Sequence, residues 1–113
     1  MAIYDLEDRT YDFAKNVRAF IKKPKKTIAN IEDIKQLVRA SGSVGANYIE
    51  ANESISKKDF LYRIKICRKE AKESRFFLRL LDTNNEIDLD KERNGLVQEA
   101  MELTKIFGAI INK

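Results

Sequence analysis

A chain of 113 residues with a net charge of +4 has room for one domain, spanning 1–113, with a core of its own, and not for two. Hydrophobic residues at 43% and charged residues at 35%, with one proline and four glycines, leave out the turn punctuation that sheets need and favour an all-α protein. There is no histidine, which removes the commonest general base, and the one cysteine, Cys67, cannot close a disulfide within the chain.

In chain order, Leu6, Thr10, Phe13, Val17 and Phe20 form the first apolar stripe, which predicts a helix from about Leu6 to Ile21. Pro24 must end it, and the lysines of KKPKK at 22–26 sit where a helix C-terminus favours positive charge, as a solvated basic turn. Thr27 or Asn30 can cap a second helix. Its seam runs through Ile34, Leu37, Ser41, Val44, Tyr48, Ala51 and Ile55 without slipping phase across the two glycines of ASGSVGA at 40–46. That continuity predicts one unbroken helix in which Gly42, Gly45 and Ala46 meet a close neighbour; a break or kink there is the alternative.

The longest uninterrupted pattern is the third, opened by Ser56 with Asp59 three residues on, in the manner of a capping box. Phe60, Ile64, Cys67, Ala71, Ser74, Leu78 and Leu81 make a core seam. A second row, Tyr62, Ile66, Lys69, Glu73, Phe76 and Leu80, points about 160° or more away from it. A helix apolar on two faces predicts an oligomer, with Tyr62, Ile66, Phe76 and Leu80 at the contact. Between the faces lie Lys58, Lys65, Arg68, Lys72, Arg75 and Arg79. Four of these, Lys58, Lys65, Lys72 and Arg79, recur every seven residues and form a row about 32 Å long on a straight helix. Residues 56–79 hold nine Lys and Arg against three acids.

After the polar turn TNNEID at 83–88, with Asp88 as a candidate cap, Leu89, Arg93, Leu96, Ala100, Leu103, Phe107 and Ile110 mark a fourth helix. Four helices with short connections predict an antiparallel up-down-up-down four-helix bundle. Nothing in it supports catalysis. Cys67 lies on a core seam without an imidazole partner, GSVGA lacks the GK[ST] of a phosphate-binding loop, and the pairs Glu50/Glu53 and Glu70/Glu73 are better explained as surface or interface charges than as metal ligands. No enzyme activity, cofactor or metal is expected. No apolar run approaches the roughly 18 residues of a membrane span, and MAIYDLEDRTYDF lacks the pattern of a signal peptide, so the expected location is the cytoplasm.

RASGSVGANYIEA at 39–51, SKKDF at 56–60 and KEAKESRFFLRLL at 69–81 resemble the four-helix-bundle family named for proteins encoded in intervening sequences of bacterial 23S ribosomal RNA. The resemblance covers nearly the whole chain in order. It implies an antiparallel bundle assembled as a ring-like homopentamer, with no established enzymatic activity. A related group, the accessory variability determinants of diversity-generating retroelements, implies RNA or DNA binding and a reverse transcriptase as partner.

The basic row itself points to phosphates, read with little sequence discrimination. The competing expectation is a protein-interaction scaffold in which Glu92, Glu99 or Glu102 of the acidic fourth helix, or acids of another subunit, neutralise the row. Where Lys65, Lys72 and Arg79 point decides between the two.

Overall fold

The computed structural model describes residues 5–113, which form four α-helices and no strand: α1 (Leu6–Phe20), α2 (Ile28–Asn52), α3 (Lys57–Leu80) and α4 (Ile87–Ile111). Local chemistry starts three of them. The side chains of Asp5, Thr27 and Ser56 accept hydrogen bonds from the backbone N–H groups of Glu7, Asn30 and Asp59, occupying donors that the first helical turn leaves without partners. The fourth begins without a side-chain cap at Glu86, so Asp88 lies inside the first turn instead of capping it. There its charge, with that of Asp90, complements the helix dipole. The α3–α4 turn carries Asn84 and Asn85, both at φ 58°, the left-handed conformation that asparagine tolerates.

Cross-helix contacts set the directions. Gly45 faces Thr10 while Arg18 reaches Val38. Arg39 bonds Glu70 and Glu73 while Asn47 bonds Arg63. Arg9 bonds Glu99 while Lys23 bonds Glu92. In each pair, the earlier residue of one helix meets the later residue of the next, so neighbours run antiparallel. Each helix packs on the two beside it, α1 closing the square against α4. Phe13, Phe20, Leu37, Val44, Ile64, Leu78, Leu103 and Phe107 fill the centre. The polar members of the seams satisfy themselves locally: the hydroxyls of Thr10, Ser41 and Ser74 donate to carbonyls three or four residues back in their own helices.

The second helix is continuous through Gly42 and Gly45. A Cβ at Gly45 would lie 2.9 Å from Thr10 Oγ1, so α1 approaches this backbone too closely for a side chain. At Gly42 the neighbour is only the guanidinium end of Arg18, at 3.1 Å, and Ala46 is exposed, so the close approach is confined to one turn. The helix ends at Asn52; Ile55, expected on the seam, lies beyond it and is 96% exposed. Gly95 in α4 differs from both glycines. A Cβ there would meet nothing within 4 Å, although glycine inside a helix costs about 1 kcal/mol relative to alanine.

The buried Asn30 joins the two turns at one end of the bundle. Its Nδ2 donates to the carbonyls of Lys25 and Asp82, each at 2.9 Å, and its Oδ1 accepts from the N–H of Asp82. Thr27 does the capping, which leaves Asn30 free for this clasp.

Candidate nucleic-acid interface

Ser56 and the acidic Asp59 in the first turn fix where α3 starts, and the seven-residue spacing then carries Lys58, Lys65, Lys72 and Arg79 along one side of it. All four are exposed. Arg68 and Arg75 sit closer to the core and are half-buried, and Arg75 Nε is sealed from solvent without a hydrogen-bond partner. Among the described residues, no carboxylate lies within 4.0 Å of the charged nitrogens of any of the six. Lys65, Arg68, Lys69 and Lys72, with Glu73, line a shallow hollow of about 340 Å³ on the helix surface.

The acids expected to neutralise this row face the other way. Glu99 receives Arg9 at 2.7 Å, which raises Arg9 further above its ordinary value, and Glu102 receives the same guanidinium at 3.0 Å; the hydrogen bond from Gln98, with that from Arg9, lowers the carboxyl of Glu102. Glu92 receives Lys23 at 2.9 Å. These acids of α4 are thus engaged by Arg9 of α1 and by Lys23 in the turn that follows it, not by the basic row of α3. Composition showed that acids follow the basic helix; the pairing with Arg9 and Lys23 was not visible in it, because it depends on which side of α4 faces α1.

The second row of α3 is where its spacing predicted. Tyr62, Phe76 and Leu80 are 61%, 56% and 50% exposed, and Ile66 is half-buried beside them. The ring of Phe76 packs edge-on against Phe77, with centroids 5.2 Å apart. The row leans toward α2, since Glu73 within it bonds Arg39 at 3.2 Å. The same guanidinium meets Glu70, whose side chain is only 8% exposed. Burial, more than the neighbouring charge of Glu73, raises the Glu70 carboxyl above its usual value, while Arg39 opposes the shift. One arginine serving two carboxylates is a cluster that the i,i+3 spacing of the acids hinted at and that only the packing of α2 completes.

Cys67 is fully buried, and desolvation pushes its thiol up to about 12, leaving no nucleophile at neutral pH. No group of three metal-ligating side chains occurs among the described residues, and no described helix is long and apolar enough to cross a membrane.

An antiparallel four-helix bundle bearing a cationic row on one helix and an exposed apolar row beside it is the class that these features define. Within that class, the family model described as 23S rRNA-intervening sequence protein matches residues 4–109, and the chain belongs to that family. It is similar to a crystal structure of a protein of unknown function from the S23 ribosomal protein family of Bacteroides thetaiotaomicron, with a TM-score of 0.78 and 27% identity over 95% of this chain and 98% of that one. Comparison with curated proteins gives no match.

Proposed function

We propose that the protein is a noncatalytic, oligomeric nucleic-acid-binding protein that holds RNA or DNA phosphates along α3 through Lys58, Lys65, Arg68, Lys72, Arg75 and Arg79. The observation that carries this reading is the exposed row of four cations with no acidic partner in its own subunit, beside an acidic helix whose carboxylates are engaged elsewhere. Like charges along one edge repel one another, and a polyanion relieves that repulsion while releasing its own counterions. A homopentamer, with Tyr62, Ile66, Phe76 and Leu80 at the contact, would repeat the row around the ring and raise affinity through avidity.

The test is fluorescence anisotropy with labelled RNA and DNA of scrambled sequences. The wild-type protein should bind all of them at low salt within a few-fold of one another, and changing Lys65, Lys72 and Arg79 together to Gln should weaken every one alike. Absence of binding at low salt would favour a scaffold that meets a protein partner through the same face.

A further inference from the structure

The lysines of KKPKK at 22–26 are positive charge that the α3 row does not include, and in the folded chain they stand on a fixed turn. Pro24 is buried, and Lys26 Nζ donates to the carbonyls of Ile21 and Pro24, just past the end of α1. Asn30 Nδ2 holds the carbonyls of Lys25 and Asp82, each at 2.9 Å, so the two backbones meet on one amide nitrogen. Asp82 follows Arg79, the last cation of the row, by three residues, which puts the turn beside the end of that row. Of the four lysines only Lys23 is neutralised, by Glu92 at 2.9 Å. Lys22, Lys25 and Lys26 are exposed, and among the described residues no carboxylate lies within 4.0 Å of their ammonium groups. Two exposed acids of the α3–α4 turn, Asp82 and Glu86, stand against these three cations and Arg79, so the balance stays positive. The carboxylate of Asp82 is moreover engaged by the N–H of Asn84.

We propose that a single nucleic-acid strand runs along the α3 row and then bends over the end of the bundle, where Lys22 and Lys25 hold its next phosphates. The inference rests on the nucleic-acid reading above; it adds a second binding surface and selects single strands for it. Direction is the reason. Arg63 and Glu70, on the opposite flank of α3, bond Asn47 and Arg39 of α2, so the cationic row lies on the α4 side. The α1–α2 turn belongs to the other half of the bundle end and is reached from the row only past Asp82.

A strand that meets both surfaces must bend between them. Duplex DNA, with a persistence length of about 150 base pairs, resists so tight a bend and uses the α3 row alone, whereas a flexible single strand follows it. The turn is also ready for phosphate. Pro24, Lys26 and Asn30 already fix its backbone, and the ammonium groups of Lys22 and Lys25 make no bond in the subunit that a phosphate would have to break.

The experiment compares the wild type with the Lys22→Gln, Lys25→Gln double variant by fluorescence anisotropy across a salt series. The probes are oligo(dT) of about 6 and about 16 nucleotides, near the two ends of the usual range for single-strand sites, and a duplex of the longer length. Since neither side chain supports the fold, the variant should keep its helical spectrum and melting temperature. Its binding of the longer strand should weaken several-fold, with a salt slope flatter by about 1.4, at about 0.7 for each lost phosphate contact. The short strand and the duplex should bind the variant as they bind the wild type. Wild-type affinity and slope for the longer strand would overturn the end surface and leave the α3 row standing. Equal losses with all three probes would overturn the bent path. A wild type that binds none of them at low salt would overturn the nucleic-acid reading itself, and this inference with it.

Discussion

Asn30 shows how much one side chain can hold that a helical stripe does not reveal. Its amide satisfies two carbonyls and one N–H, from Lys25 in the turn before its own helix and from Asp82, 52 residues further along the chain, all at one end of the bundle. Asn30→Leu would strand those groups, at about 3 kcal/mol if the unsatisfied set costs no more than a typical pair of buried polar groups. Thermal unfolding should fall by about 10 °C or more; a shift of less than about 2 °C would mean that water replaces the amide. Glu70 makes a pH-dependent contribution. Its folded carboxyl is raised above the usual 4.5, mainly by burial, so between 4.5 and its folded value the native state holds a proton that the unfolded chain has lost. Stability should therefore fall as pH rises from about 4.5 through that window. In Glu70→Gln, which has no proton to lose, melting curves collected across the same range should show a shallower decline. Both residues escaped a reading by stripes. Asn30 was a candidate cap, and Glu70 a surface or interface charge, because neither reading could anticipate which group another helix or turn brings within reach.

The elements themselves were largely legible. The core seams of all four helices lie on the buried side, since a stripe at three- and four-residue spacing has one way to leave water. Ser56 is the cap that its spacing to Asp59 predicted. Boundaries were less legible, as Asp88 and Ile55 show, because helix ends depend on backbone bonds and not on the stripe. Continuity of α2 through its glycines was read from the unbroken seam, and its physical reason is the contact of Gly45 with Thr10. Gly45→Leu should accordingly lower stability by about 1–3 kcal/mol, measured by chemical denaturation, because neither backbone can yield without opening the α1–α2 seam. Gly95→Ala is the contrasting substitution, with open space around the new methyl group, and it should leave stability unchanged or raise it by up to about 1 kcal/mol. Equal losses at the two sites would remove the distinction between an occupied and an open glycine.

At the scale of the whole molecule, the second apolar row of α3 was visible in the sequence as a face that the monomer's core does not use, and it is exposed in the folded chain. Phe76→Glu adds a charge to that face, so it should shift light-scattering profiles toward monomer while the helical spectrum is kept, since a desolvated interface disfavours an unpaired carboxylate. Retention of the full oligomer would place the contact elsewhere.

The basic row was equally legible, because its seven-residue spacing is a property of sequence. What sequence left open was whether acids of α4 cover it, and the pairing of Glu99 with Arg9 and of Glu92 with Lys23 answers that for the subunit. The most direct measurement on the central claim is the salt dependence of duplex DNA binding, for the wild-type protein and for the Lys65→Gln, Lys72→Gln, Arg79→Gln triple variant. If about four phosphates are neutralised along the row, the logarithm of affinity should fall with the logarithm of salt at a slope of about −3.6, and the triple variant should show a markedly flatter slope with unchanged oligomer size. Tight binding by the triple variant with the wild-type slope would contradict the account and assign the phosphates to another surface.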